Sequence, residues 1–209
     1  MYDPTLSEAY AALGLAYMSK RSLEEALAAG HKAIELDPNN FTGYWVLGRI
    51  YHLADRDREA IEMHKKAVAL NPNFHTAYGD LRVLYERVGE KEKHEEVLQT
   101  LLQVYPRYLA QHPDDARSHM YYAIDLAHVG RSEEARAQAT KALELSPGDP
   151  LMMYNAACFY ARMGERHLAV ESLKNSVVAG LEDYEWIKRD PDFDSIRNER
   201  EYVELMEGK

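Results

Sequence analysis

The chain has 209 residues, 46% hydrophobic and 29% charged, the balance of an ordinary folded protein. Its 35 acidic and 25 basic side chains leave a net charge of −10, which argues against a nucleic-acid backbone or an anionic membrane surface as partner. One cysteine, Cys158, excludes an internal disulfide framework and any multi-cysteine metal site, and no run reaches the ~18–20 apolar residues of a membrane span.

The N-terminus, Met-Tyr-Asp-Pro, has neither a basic start nor an apolar signal core, so a cytoplasmic chain is expected. The prolines then set a frame. Pro4, Pro38, Pro72 and Pro106 are spaced 34 residues apart, as are Pro113 and Pro147, with one 7-residue step between the two series. The words before them agree. Lys32-Ala33-Ile34-Glu35-Leu36-Asp37-Pro38 returns as Lys66 to Pro72 and again as Lys141 to Pro147. Such self-similarity is the mark of a repeat array.

Each period reads as two helices. The first runs to a Gly or a polar pair. The second opens on Ser or Asp followed by Glu, as in Ser22-Leu23-Glu24-Glu25 and Ser132-Glu133-Glu134, a capping pattern. It ends at an Asp/Asn/Ser-Pro word, because proline cannot continue it. From Ala9 to Met18 the first helix carries no charge, so it expects cover on every side. Pro4 also stands in phase with the later prolines, as though another unit ended there. A longer parent chain, or self-association through residues 9–18, would account for both. The third unit holds the 7 extra residues. Glu95 to Gln111 reads as one long helix that Pro106 would kink or split. Beyond Gly180 the repeat stops. A short helix over Leu181 to Arg189 is expected to turn Trp186 and Ile187 inward. Asp190-Pro191-Asp192-Phe193-Asp194 follows as a capped turn, and a last helix runs from Asn198 or Glu199 to Met206. Trp186, Phe193, Ile196, Val203 and Leu205 would close the core.

Tyr10, Leu13, Gly14, Tyr17, Ala26 and Pro38 fit the tetratricopeptide (TPR) pattern, and Tyr44, Leu47, Gly48, Tyr51, Ala60 and Pro72 fit it again. The third unit keeps Tyr78, Leu81, Tyr85 and Gly89, but Arg82 and His94 replace small residues. The fourth has His119, Tyr122, Ala123, Leu126, Gly130, Ala135 and Pro147. The fifth has Met153, Ala156, Ala157, Tyr160, Gly164 and Ala169. The sequence therefore resembles TPR proteins, bacterial ones in particular. The resemblance implies an all-α, right-handed α-solenoid of about five helix-turn-helix units, 7–40, 41–74, 75–115, 116–149 and 150–183. The array would span residues 1–183, and 184–209 would form a helical cap.

That architecture places binding on the concave face, which the first helix of each unit lines. Helical steps from the signature positions put Glu8, Ala11, Ala12, Leu15 and Met18 there, then Trp45, Val46, Arg49, His52 and Leu53. Thr76, Gly79, Asp80, Val83 and Arg87 follow, then Arg117, Met120, Tyr121, Ile124 and His128, then Leu151, Tyr154, Asn155, Cys158 and Arg162. The groove candidates are Trp45, Arg49, His52, Arg87, Arg117, Tyr121, His128, Tyr154, Asn155 and Arg162. Aromatic anchors and forked arginines suit a peptide or helix with acidic and apolar side chains. The chaperone-type carboxylate clamp is not matched, since Ala11, Leu15, Val46, Thr76 and Asp80 occupy its positions.

No phosphate loop, nucleophile elbow or zinc spacing occurs, so neither an enzyme nor a cofactor is expected. Asp190, Asp192 and Asp194 alternate without the remaining ligands of a calcium loop and read as capping residues. The leading expectation is a non-catalytic protein-interaction scaffold. A regulatory segment of a larger kinase or cyclase, and a self-assembly module, are the alternatives.

Overall fold

The computed structural model describes residues 4–207, and side chains from Thr5 onward. Residues 1–3, the start of the expected array, lie outside the described residues. Within them the chain is helical throughout, with no strand. The described residues divide into two compact units, one up to Val104 and one from Tyr105.

The first unit holds α1 (Pro4–Ser19), α2 (Leu23–Leu36), α3 (Phe41–Leu53), α4 (Asp57–Leu70), α5 (His75–Arg87) and most of α6 (Lys91–Leu109). Helices α1 and α2 pack as a hairpin, as do α3 and α4, and α2 lies against α3 and α4 against α5. Small residues set the spacing. A β-carbon on Gly48 of α3 would fall 2.6 Å from the His64 ring of α4, and one on Gly30 would fall 2.8 Å from Leu47. Gly48 and Gly30 are thus points of close helix approach. Ala26, Ala33, Val46, Leu47, Ile50, Ala60 and Ala67 have no accessible surface.

The helix ends follow two rules. Of the first helices, α3 and those that begin at Ala116 and Pro150 are capped by side chains, whereas α5, preceded by Phe74, has no such cap. Asn40 accepts from the Gly43 N–H at 2.9 Å, and its amide donates to Ser7 Oγ, which donates to the Ala33 carbonyl. This buried relay ties α1, α2 and α3 together. Second helices are not side-chain capped: Ser22 makes no such bond, and Ser132 already lies inside its helix. Glu24, Glu25, Glu133 and Glu134 instead place negative charge in the first turn, where the helix dipole favours it. One left-handed residue closes each turn between paired helices: Arg21, Asp55, Gly89, Gly130 and Gly164.

Pro106 neither ends nor splits α6, which continues to Leu109. Leu98, Leu101, Val104, Tyr105 and Leu109 are its buried face.

The second unit continues with α7 (Ala116–His128), α8 (Ser132–Leu145), α9 (Pro150–Arg162) and α10 (Arg166–Val178). Asp115 and Asp149 cap α7 and α9 through backbone N–H groups. After α10 come α11 (Tyr184–Arg189), a 3-10 turn (Pro191–Phe193) and α12 (Arg200–Glu207). Phe193, Ile187, Ile196, Tyr202 and Met206 close the core over Tyr154, Ala157, Val170 and Leu173. Two expectations are corrected here. Trp186 does not face inward but is 57% exposed, because Ile187, one step on, takes the inner side of the short α11. On α12, Tyr202 and Met206 supply the buried stripe, while Val203 and Leu205 are only half-buried.

Candidate functional site

In the first unit the candidate face is built from α3 and α5. Trp45 is half-buried on α3. Its indole N–H donates to Asp80 Oδ2 on α5 at 2.7 Å. The Phe74 ring meets it edge-on at 5.6 Å, so the indole is held from two sides. The Arg49 guanidinium lies 5.3 Å from the indole centroid. Among the described residues Arg49 makes no ion pair. It is an exposed cation stacked on a fixed aromatic, with its N–H fork available. Leu53 and Val83, 41% and 46% exposed, continue the apolar surface.

Beneath this face lies His64 of α4. It is 1% exposed, and its Nε2 is 3.8 Å from Asp80 Oδ2. Burial, then the positive charge of Arg49 and the neighbouring His52, depress its pKa from 6.5 to about 3. The ring is therefore neutral at physiological pH. Burial raises the Asp80 carboxyl above its ordinary range, opposed by Arg49 and the Trp45 hydrogen bond, although about a third of that side chain remains exposed.

Two candidates of this unit are committed elsewhere. His52 Nδ1 and Asp57 Oδ1 are 2.8 Å apart. Arg87 donates to Asp55 at 2.7 Å, and its Nε is 2.7 Å from Asp57. These contacts fasten the α3–α4 turn to α5, because Asp55 and Asp57 flank the start of α4. Val46 and Ala11, placed on the inner face by helical counting, are buried core residues.

In the second unit α7 and α9 lie side by side. Arg117 and Tyr121, one turn apart on α7, are exposed, Tyr121 at 45%. Among the described residues Arg117 also lacks an ion pair. His128 is exposed at the end of α7. On α9, Leu151 is 45% exposed and Asn155 half-buried. Tyr154 is corrected. It is 6% exposed, packs edge-on against Phe193 at 5.5 Å and donates its hydroxyl to Asp190. The C-terminal turn covers the position that a ligand was expected to reach. Arg162 pairs with Asp192 at 2.6 Å, and Met120 and Cys158 are buried.

Ligand atoms of Cys158, Asp190 and Asp192 lie within 4.8 Å of one another. Their geometry is that of a cap. Asp190 accepts from the Asp192 N–H and from Tyr154, while Asp192 is neutralised by Arg162. Arg197 donates to the Asp190 and Lys188 carbonyls and locks the same turn. Burial, then the two aspartates, pushes the Cys158 thiol well above its ordinary range. Asp80, which helical counting put on the concave face but which is not among the groove candidates, is the acceptor for Trp45.

Comparison with known proteins agrees with this architecture. Residues 14–55 match the TPR repeat model and residues 46–75 the tetratricopeptide repeat model. Among solved structures, a thermophilic TPR protein of Thermus thermophilus superposes with a TM-score of 0.67 at 21% identity, covering 88% of this chain and 96% of that one. Pseudomonas aeruginosa pilF gives 0.64 at 20% identity, with 98% of both chains covered. YrrB, described as a TPR protein with an unusual peptide-binding site, gives 0.52 at 26% identity, covering 82% of this chain and 84% of its own. A chloroplastic protein of Arabidopsis thaliana is 25% identical over 100 residues, which is 46% of this chain and 29% of that protein. Residues 14–75 therefore carry tetratricopeptide repeats, and the fold of the described chain is an all-α solenoid like those of TPR proteins.

Proposed function

We propose that the protein is a non-catalytic interaction scaffold. Its ligand is a peptide or helix of a partner protein, carrying acidic and apolar side chains. TPR repeats support protein or peptide partners in general, and the peptide-binding description of YrrB supports that kind of ligand. In this reading the array comprises the five units 7–40, 41–74, 75–115, 116–149 and 150–183, closed by the segment from 184.

One observation carries the choice of ligand. Arg49 stands on an indole held by Asp80 and Phe74, and no carboxylate of the described chain pairs with it. A ligand carboxylate meets a pre-oriented fork there, and apolar side chains meet Trp45, Leu53 and Val83. Arg117 and Tyr121, with Leu151, repeat the pairing of cation and apolar surface in the second unit. Preorganised anchors of this kind dominate peptide affinity. Among the described residues no helix is long and apolar enough to cross a membrane, and the proposed setting is the cytoplasm.

The test is calorimetric titration with peptides that pair Asp or Glu with aromatic or aliphatic residues, beside charge-reversed versions. Binding of the acidic set that falls at least ~10-fold in Arg49→Glu and Trp45→Ala supports the reading. Preference for the basic set overturns it.

A further inference from the structure

Helix α1 carries a second surface, directly opposite the face it buries. Ser7, Ala11 and Gly14 point into the first unit. On the far side Leu6 and Leu13 are 44% and 40% exposed, and Ala9 and Ala16 are exposed too.

The repeat shows what this surface is built for. One period on, Ala9, Leu13 and Ala16 become Gly43, Leu47 and Ile50 of α3. Two periods on, they become Ala77, Leu81 and Leu84 of α5. All six of these are buried, Leu47 and Ile50 completely, Leu81 and Leu84 to 2% and 1% exposure. What covers α3 is another helix: Gly43 and Leu47 lie against Ala33, Ile34 and Gly30 of α2. On α1 the same stripe is exposed among the described residues.

The stripe itself names the occupant. Leu6, Ala9, Leu13 and Ala16 follow one another at steps of three, four and three, the spacing of a coiled-coil seam. Large and small residues alternate along it. When two such helices run antiparallel, Leu6 faces Ala16 of the second copy and Leu13 faces Ala9 of the second copy. Each of the four layers then holds one leucine and one alanine. A parallel pair would instead stack leucine on leucine and alanine on alanine, leaving the alanine layers underfilled. The flanking positions Thr5, Tyr10, Ala12, Tyr17 and Ser19 carry no charge, so nothing repels the second helix. The contact closes on itself with two-fold symmetry, as dimers of identical chains do.

We infer that α1 is a dimerisation seam, and that its partner is α1 of a second copy, antiparallel, with leucine over alanine in every layer. The inference is independent of the groove reading, which lies on other helices. The contact involves one helix of 16 residues per chain, so it belongs to the small, transient class of interface.

Sedimentation equilibrium between ~5 and ~500 µM tests it, since small interfaces dissociate in this range. The mass is expected to climb from 24.0 kDa towards twice that value. Leu13→Glu, a change at an exposed position, should hold the mass at one chain while leaving the helical melt intact. The register has its own test. Equal amounts of Ala9→Cys and Leu13→Cys chains, oxidised together, should cross-link mainly to each other rather than to themselves. A chain that stays monomeric across the range overturns the inference, including the case in which the seam takes a helix of some other protein. So does a dimer that survives Leu13→Glu, or cross-linking in which either variant pairs mainly with itself.

Discussion

The indole of Trp45 donates to the carboxylate of Asp80 at 2.7 Å, and this bond joins α3 to α5 across the candidate face. It fixes the largest side chain of that face before any ligand arrives. Removing the acceptor by Asp80→Ala should cost about 1.5 kcal/mol, the low end for a hydrogen bond to a charged group, because Asp80 is partly exposed. In a Trp186→Phe background the Trp45 emission should move to longer wavelength. Asp80→Asn keeps an acceptor and should fall between. An unchanged spectrum in Asp80→Ala would show that the bond does not hold the ring.

His64 makes stability depend on pH. Folded, it is neutral down to about pH 3; unfolded, it takes a proton at 6.5. Below 6.5 the unfolded state binds more protons, so stability falls as the pH drops. The loss runs at up to about 1.4 kcal/mol per pH unit and stops near pH 3, where the folded ring also protonates. Denaturant midpoints at pH 7.5, 6 and 5 check this. Wild type should lose more than His64→Gln across that interval, although the variant starts lower. Parallel curves would contradict the assignment.

The turn between α1 and α2 is closed by Arg21 at φ 58°, where later turns use Gly89, Gly130 and Gly164. A left-handed arginine costs on the order of 1 kcal/mol that glycine avoids. Arg21→Gly should therefore raise the thermal midpoint. Asp55→Gly, at the equivalent position, should gain less because it also removes one of the two carboxylate partners of Arg87.

Much of this was legible in the residues. Leu47, Gly48, Tyr51 and Ala60 stand where the repeat pattern places them, because helix pairs must meet at fixed small residues. Arg49, Arg117 and Tyr121 are exposed as helical counting indicates. The failures share a cause. Tyr154, Arg162 and Trp186 depend on how a non-repeating tail folds back, and no periodicity encodes that contact. Arg87 and His52 depend on pairing with Asp55 and Asp57, and helical period alone does not weigh one ion pair against another. Leu13 departs from its buried equivalents Leu47 and Leu81 because, among the described residues, no helix precedes α1.

Cys158 should be inert in the folded chain. It is 4% exposed, and burial beside Asp190 and Asp192 holds its thiol protonated. Iodoacetamide should label it only as fast as the second unit opens, and denaturant should make labelling fast. Rapid native labelling would mean that the α11–α12 cover is loosely held.

The central claim is where a partner peptide binds. The most direct measurement is a nitrogen–proton correlation spectrum, recorded while the tightest acidic/apolar peptide is added. The indole N–H of Trp45 and the backbone around Arg49, Leu53 and Val83 should shift together and saturate with one affinity. Shifts confined to α1, or to α11 and α12, with the Trp45 indole unmoved, would contradict the account.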